Sequence, residues 1–491
     1  MNKKYDVIII GAGISGCAVA WKLARYNLDI LLLEKEADVA TGTTKANTAI
    51  MHAGYNADPN KLKGRLNVKG NEEIREVSKK LNIPYKEIGS LVVGLEGDNL
   101  SVIDELYQKG LKNNVKKMEI VDRDWLFEHE PNISRDAVKA LWAPTAGVIT
   151  PWEAALAMAQ NAVANGAEVK LETAVEDVLT EDGQVVGVKT NRGNFAADYV
   201  VNAAGLYADE IAEMVGIEKI NITPRKGEYY IYDHAKDFAV NHVVFPVPTP
   251  ISKGIVVTPT VENNILIGPT SQNVESKTDL ATTREGLNEV YKGAKKLYPE
   301  LDLRDTIRVF AGLRAADDTE DFVIEAAENV KGFVNVAGIQ SPGLASSTAI
   351  AGYTADILRD EGLTLSEKKD YIETREEPVR FYEMTNKERA KMVDQNKDYG
   401  QIICRCETVS YKEIIDAINS PVGARTVNAV KRRTRAGAGR CQGGFCGPRV
   451  VDILAQELGI DPTEVKQEEG NSQILEYKIK QLLGSKVMDN A

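Results

Sequence analysis

The chain is sparing with the residues that carry most metal and redox chemistry: 491 residues include only five cysteines and four histidines. It has no excess of positive charge. Asp and Glu number 72 against 60 Lys and Arg, for a net charge of −12, which argues against nucleic acid or an anionic membrane as a bulk partner. No stretch reaches the ~18 consecutive apolar residues of a membrane span. The opening "MNKKYDVIIIGAG" places two lysines before an apolar run. That run breaks into glycines after a few residues, which predicts a strand and turn rather than an export signal. The expected location is therefore the cytoplasm. Thiols stay reduced there, so clustered cysteines point to metal or redox chemistry rather than disulfides.

What is present is ordinary: 43% apolar and 27% charged residues, the mix of a globular protein of about two to four domains. Residues 5–10, "YDVIII", predict a buried strand, "CAVAWKLARY" a helix and "LDILLLEKE" a second buried strand ending in acid. "WEAALAMAQNAVANGAEVKLET" predicts helix, glycine stop and strand. Strands joined by turns at Asp182-Gly183 and Arg192-Gly193 follow. Residues 220–315 are expected to be mostly strand, and 332–358 strand, glycine-rich turn and helix. Residues 366–398 are dense in charge and predict a surface linker of helical segments. A cysteine-bearing segment at about 399–455 and a polar tail, 456–491, with two short helical patterns complete the chain.

Gly11, Gly13 and Gly16 form G-x-G-x-x-G between the first strand and its helix, and Glu34 ends the next strand about 20 residues on. The first glycine allows the tight turn, the second a close approach to pyrophosphate, the third close helix–strand packing. The helix N-terminus offers N–H donors to phosphate, and Glu34 a carboxylate to ribose. The motif does not separate FAD from NAD. Its single occurrence, and a second glycine turn before a late helix in "VAGIQSPGLASSTAIAG", favour FAD.

Arg314 stands in "VFAGLRA", an otherwise apolar run, where a guanidinium needs an anion. The candidates are Asp317 or Asp318 nearby, or a carboxylate or phosphate on a substrate held in bidentate fashion. Arg225 and Lys226, in "TPRKGEYY", are candidates to complete an anion pocket, with a solvated turn as the alternative. Tyr55 and Lys63 are weaker candidates of that kind.

Four of the five cysteines, Cys404, Cys406, Cys441 and Cys446, fall in one segment as C-x-C, 34 residues, then C-x4-C. Surrounding glycines permit a tight backbone about a compact centre. Four thiolates suit [2Fe–2S] or zinc, and a C-x-C pair is less usual for zinc. The run "KRRTRAGAGR" supplies Lys431, Arg432, Arg433, Arg435 and Arg440. It is either a solvated helix end or charge compensation, and a docking face, for a thiolate cluster. Cys17, on the first helix, is expected to be a buried small residue.

"DVIIIGAGISGCAVAWKLARYNLDILLLEKE", "TGTTKANTAIMHAGYN", "VVNAAGLYADEIA", "FAGLRAA" and "GIQSPGLASS" occur in an order that resembles the D-amino-acid-oxidase-like FAD oxidoreductases over roughly 1–360. The branch resembled holds glycerol-3-phosphate and L-2-hydroxyglutarate dehydrogenases. The cysteine segment resembles the bacterioferritin-associated-ferredoxin domain, with C-x4-C where that domain usually has C-x2-C. It also looks like the form appended to the large subunit of anaerobic glycerol-3-phosphate dehydrogenase.

This resemblance implies an α/β fold with a discontinuous Rossmann-like FAD domain, about 1–85, 145–220 and 325–365. It further implies an α+β substrate domain with a mainly antiparallel sheet, 86–144 and 221–324, and a small helical [2Fe–2S] domain. FAD would contact Ile14, Ser15, Lys35, Thr43, Thr44, Ala46, Asn47, Val175, Ala204, Gly205, Gly338, Ile339, Gly343, Leu344 and Ala345, beside the glycine motif and Glu34. His52, in "MHAGY", matches a histidine beside the flavin ring, as base or electrostatic partner of a developing alkoxide, with covalent flavin attachment an open role.

The implied reaction is dehydrogenation of a small anionic secondary alcohol. The appended domain favours glycerol 3-phosphate, with electrons leaving FAD through a cluster to a partner protein or quinone-linked acceptor. "G-I-x-S-P-G-L", in place of the "GGK-x-x-T-Y-R" common in glycerol-3-phosphate dehydrogenases, is like the 2-hydroxyglutarate branch. Amine or imino-acid oxidation, and a non-catalytic flavin and iron–sulfur electron-transfer subunit, are the other readings.

Overall fold

In the computed structural model of the chain, which describes residues 3–234, 238–248 and 254–479, strand Lys4–Ile10 lies between two parallel neighbours, Ile30–Leu33 and Gly193–Asn202. A strand paired on both edges and covered on both faces has no polar side to keep, hence the unbroken runs "VIII" and "ILLL". Glu168–Lys170 extends the parallel array beyond Ile30–Leu33. The far edge of Gly193–Asn202 pairs first with antiparallel Gln184–Thr190, then with parallel Phe333–Ala337. Among the described residues this sheet has eight strands. Helices Ile14–Leu23, Pro151–Ala164 and Gly343–Asp360 pack together, and Leu62–Lys80 packs on the last of them.

A second sheet, nine strands among the described residues, is antiparallel but for one pairing, Val243–Pro246 beside Ser90–Leu95. Its longest pairing joins Ile222–Tyr232 to Thr306–Asp317 and sets Arg225 directly opposite Arg314. The chain is thus α/β, with one mixed, largely parallel sheet and one largely antiparallel sheet. Beneath the second sheet Glu130 is fully buried. Its carboxylate accepts from His242 Nδ1 at 2.7 Å, the backbone N–H of His242 and Asn241, and the Tyr298 hydroxyl at 2.9 Å.

Two segments depart from the sequence expectation. The stretch expected to be mostly strand contains a 14-residue helix, Arg284–Leu297, capped by Thr283 and burying Val290, Ala294 and Leu297. The spacing of those three is helical, but the polar residues between them masked it. Residues 366–376 are not helical. Asn161 and Asn165 of helix Pro151–Ala164 and its C-cap donate to the Ile372 carbonyl, and Asn165 accepts the Ile372 N–H. Arg375 pairs with Glu153 at 3.6 Å. A 3-10 turn forms at Phe381–Glu383 and α-helix resumes at Asn386–Gln395, behind a capping box from Thr385 and Glu388.

The described residues form two compact units. One runs to Lys35 and from Val39 to Glu376; the other comprises Glu36–Asp38 and the residues from Glu377 onward. The second is a small helical unit with a short hairpin, Ile402–Cys404 and Val409–Ser410, and helices Tyr411–Asn419, Val427–Thr434 and Gly447–Leu458. Ile403, Val409, Ile414, Ile418, Val430, Val450, Leu454 and Val465 form its core. The polar tail is therefore built in as far as Glu468: Val465 is buried, and the Lys466 and Gln467 carbonyls accept from Val427 and Asn428. From 480 on, its helical pattern lies outside the described residues.

Three arginines of the basic run are ion-paired within this unit and not solvated. Arg433 grips Asp38 through both terminal nitrogens, at 2.7 and 2.8 Å, Arg432 adds a bond at 2.8 Å and also pairs with Glu468, and Arg435 holds Glu407 at 2.7 Å. Burial by itself would raise the Asp38 pKa, but Arg433 and Arg432 outweigh it and hold the carboxyl below its usual range. Asp38→Asn removes one partner of a buried ionic group and is expected to cost about 3–5 kcal/mol, read from denaturant midpoints. A depressed carboxyl stabilises above its unfolded pKa and loses that contribution as pH falls. The gap between wild type and D38N is therefore expected at neutral pH and to close below ~4.

Candidate active site and thiol centre

The glycine motif sits where strand Lys4–Ile10 turns into helix Ile14–Leu23. Gly16 tolerates no side chain, since a Cβ there would meet the Gly11 carbonyl oxygen at 1.9 Å, and Gly11 itself takes φ +97°. Two carboxyl and hydroxyl groups brace the turn: Glu34 accepts the Ala12 N–H at 2.7 Å and Thr44 Oγ1 accepts the Ile14 N–H at 2.9 Å. Gly13 caps the helix without a side-chain bond, and Ser15 is buried in its first turn. The motif keeps its backbone bare, as close approach to a pyrophosphate requires.

The other residues expected at a dinucleotide belong to the same unit. Lys35 lies over the Tyr207 ring at 3.9 Å, next to the turn of Ala204 and Gly205. Val175 starts a strand just after Thr173, whose N–H bonds the Glu34 carbonyl. Asn47 ties its own loop by donating to the Thr43 and Thr44 carbonyls, and Ala46 lies between. Gly338 and Ile339 leave strand Phe333–Ala337, while Gly343, Leu344 and Ala345 open helix Gly343–Asp360.

His52 follows the short strand Ile50–Met51. Its backbone carbonyl is clamped by Asn67 and Asn71, one turn apart on helix Leu62–Lys80, at 2.9 and 3.1 Å. The ring packs near Phe245, centroids 5.7 Å apart, and Nε2 lies 3.4 Å from Ser341 Oγ in the Gly338–Gly343 loop. Beside it opens a cavity of about 260 Å³, lined by His52, Tyr55, Lys61, Lys63, Ser341 and Pro342 among others. Ser341, Asn67 and Asn71 escaped the sequence reading. The i, i+4 spacing of the two asparagines on the helix is the sequence signal for them; Ser341 left none.

Arg314 and Arg225 are cross-strand neighbours, so their side chains share one face of the second sheet. Lys226, one residue on, takes the opposite face, where it is buried and paired with Asp279 at 2.8 Å. Lys226 is therefore not beside Arg314, and neither it nor Arg225 lies in a solvated turn. Arg225 is held by Glu320 at 2.5 Å and by Asn273 at 3.1 Å. That arrangement lowers the Glu320 pKa, chiefly through the Arg225 hydrogen bond. The second oxygen of Glu320 accepts from Gln340 at 2.9 Å, which links the arginine face to the loop that carries Ser341.

Arg314 has a different fate. Its guanidinium donates to the Thr270 carbonyl at 3.2 Å, and Asp317 and Asp318 are engaged with Thr319 and Asn221 instead. Its strand is tied to the loop after the glycine motif by Thr43 Oγ1 donating to the Leu313 carbonyl at 2.7 Å. Tyr55 lines the cavity wall, but its hydroxyl is buried against Ser90 and burial pushes its pKa up to about 12; it stays neutral and offers no charge to an anion. Lys63 donates to the Glu320 carbonyl, and burial, with Lys61 nearby, lowers its pKa.

In the second unit all four cysteines of the C-terminal segment are free thiols. Cys404 and Cys446 are buried and hydrogen-bonded to each other; Cys406 is exposed, and its Sγ lies 3.7 Å from that of Cys441. The hydrogen bond from Cys446 pulls the Cys404 thiol down to about 6, with help from the Gly437 and Glu407 N–H groups, and pushes Cys446 up. Cys441 is lowered by the Phe445 N–H. Gly437 and Gly443 turn the loop with φ of +90° and +88°. Among the described residues no trio of Cys, His, Asp or Glu converges as a single ion would require. Cys404 pairs with Cys446 and Cys406 with Cys441, and four thiols so placed fit the four thiolate ligands of two irons. Cys17 is far in sequence and buried, its thiol on the Ala12 carbonyl at 3.3 Å.

Comparison with known proteins gives this geometry its relatives. Residues 6–357 match the family described as FAD dependent oxidoreductase, and residues 402–456 the BFD-like [2Fe-2S] binding domain. A protein of Caloramator mitchellensis named glycerol 3-phosphate dehydrogenase is 46% identical, over 96% of this chain and 98% of its own length. A glycerol 3-phosphate oxidase of Mycoplasma genitalium is 33% identical over 72% of this chain and 94% of its own. The dithionite-reduced L-alpha-glycerophosphate oxidase of Mycoplasma pneumoniae, solved with FAD bound, superposes with a TM-score of 0.72 at 29% identity. That match covers 76% of this chain and 98% of the oxidase.

Proposed function

Because the chain belongs to the FAD dependent oxidoreductase family and carries a BFD-like [2Fe-2S] binding domain, we propose that it oxidises sn-glycerol 3-phosphate to dihydroxyacetone phosphate and passes the electrons through its thiol centre to a partner protein. When bound, FAD supplies the hydride acceptor and the cluster a one-electron store.

The observation that carries this reading is the imbalance on the arginine face. Two guanidiniums sit opposite each other on adjacent strands, and of the two it is Arg225 that Glu320 holds. Arg314 has carbonyl oxygen and no carboxylate among the described residues, so a substrate phosphate completes the pair in bidentate fashion. His52 takes the hydroxyl proton from the carbinol. Asn67, Asn71 and Ser341 fix its position from both sides, which is what general-base catalysis demands of geometry. The named substrates of the relatives support a phosphate handle.

A 2-hydroxy dicarboxylate is the second reading. It is favoured by the "GIQSPGL" loop that places Ser341 against His52, and by a bovine L-2-hydroxyglutarate dehydrogenase 28% identical over 72% of this chain. Anaerobic mixing with glycerol 3-phosphate, L-2-hydroxyglutarate, lactate and proline separates the readings. Rapid bleaching of the visible flavin band by glycerol 3-phosphate alone is expected; bleaching by 2-hydroxyglutarate alone replaces the substrate. No bleaching by any of them leaves the electron-transfer subunit. Arg314→Ala is expected to cost about 1.5–3 kcal/mol of substrate binding, a rise in KM of roughly 10- to 150-fold with FAD retained.

A further inference from the structure

A chain with net charge −12 repels an anionic substrate at long range, so an enzyme for such a substrate needs a local field of the other sign. The cavity beside His52 has one. Its wall includes Lys61, Lys63 and Lys109, against a single acidic residue, Asp58. Glu320 and Asp321 act on Lys63 electrostatically, and Asp321 accepts the Leu62 and Lys63 N–H groups, but the ammonium groups of Lys61 and Lys63 are bonded to carbonyl oxygens. Lys61 donates to the backbone carbonyls of Thr319 and Glu320, Lys63 to that of Glu320, and Lys109 has no ion pair among the described residues. The Glu320 carboxylate is turned toward Arg225 and Gln340 instead. Asp58 is occupied in part by the Asn60 N–H at 2.9 Å. His52, Ser341 and Pro342 form the part of the wall nearest the Gly338–Gly343 loop. The lysines come from a different segment: Lys61 and Lys63 lie at the start of helix Leu62–Lys80, and Lys109 near the end of helix Ser101–Lys112.

We infer that this cavity is the approach path of the anionic substrate, and that Lys61, Lys63 and Lys109 draw the anion along it to His52. The inference rests on the proposed oxidation of an anionic alcohol and adds to it the route and the force that fills it. Low-dielectric walls lined by one sign of charge focus the field and raise association rates by 10–10³-fold, and added salt removes the gain. The same field disfavours neutral alcohols only by failing to attract them, so its signature is kinetic.

The test is anaerobic stopped-flow reduction of the full-length holoenzyme by glycerol 3-phosphate across a salt series. The wild-type second-order constant is expected to fall steeply as salt rises. In K61Q/K109Q it is expected to start about tenfold lower in dilute buffer, to depend weakly on salt and to meet the wild type at high salt. The rate at saturating substrate should carry little of the loss. K109Q alone, on a partly exposed helix face, is the check against misfolding and should show a smaller change of the same kind with full flavin content. Equal constants and equal salt slopes in wild type and variants overturn the inference, as does a loss confined to the saturated rate. A wild-type flavin that glycerol 3-phosphate and 2-hydroxyglutarate both leave unbleached overturns the functional reading itself, a result distinguishable from either.

Discussion

His52→Asn is expected to slow substrate reduction of the flavin by roughly 10²–10⁴-fold, the range that removal of a general base costs, with FAD still bound and the fold intact. The clamp on His52 is made through its backbone carbonyl by Asn67 and Asn71. Asparagine at 52 leaves that carbonyl in place, so the loop keeps its path and only the ring is lost. The Ser341 hydroxyl, 3.4 Å from Nε2, gives a second reading of the same geometry. Ser341→Ala removes a positioning contact and not the base, so a smaller loss is expected, partly restored by Ser341→Thr. Stopped-flow bleaching measures both. Visible absorbance before mixing checks that flavin is present. A H52N enzyme reduced at the wild-type rate removes His52 from the chemistry and leaves the proton to another group or to water.

The nucleotide turn was legible because every cue agreed: unbroken apolar strands, three glycines at fixed spacing, and an acid closing the second strand. Local sequence is enough for such a unit, since the Gly16–Gly11 contact spans five residues and the Glu34–Ala12 bond 22. The arginine face was not legible in the same way. Arg225 and Lys226 are adjacent and alike in charge, and sequence offered them as one pocket; strand geometry sends them to opposite faces, toward Glu320 and Asp279. The partner that decides Arg225 lies 95 residues away.

The solvated reading of Arg432, Arg433 and Arg435 failed for the same reason. A stretch of like charges normally marks a solvated surface, and its neighbours give no hint of Asp38, which lies 394 residues from Arg432 in the chain. Long-range ion pairs leave no periodic trace in the sequence. Residues 366–376 add a third case. They are charged, hence expected as helical segments on the surface; they do lie at the surface, but they are not helical, because two asparagines of the alanine-rich helix secure them through backbone bonds that any sequence offers.

Cys441→Ser is expected to abolish iron and sulfide retention while substrate still bleaches the flavin. Cys441 and Cys406 form the more open of the two thiol pairs, 3.7 Å apart, and the N–H groups of Phe445 and Gly443 already favour the Cys441 thiolate. A serine hydroxyl at that position is harder and far less acidic than the thiol, so it does not replace a thiolate on iron. The consequence divides the enzyme's two half-reactions. Anaerobic bleaching by glycerol 3-phosphate should run at the wild-type rate, because the site around His52 and Arg314 lies entirely in the other unit. Turnover with a one-electron acceptor protein should collapse. Cys17→Ala supplies the contrast: its thiol lies on the Ala12 carbonyl in the other unit, so iron content should not change. If C441S keeps its iron and its turnover, the centre is not held by these thiols. If C441S loses its iron but turns over with the acceptor protein as before, electrons leave the flavin directly and the cysteine unit serves another end.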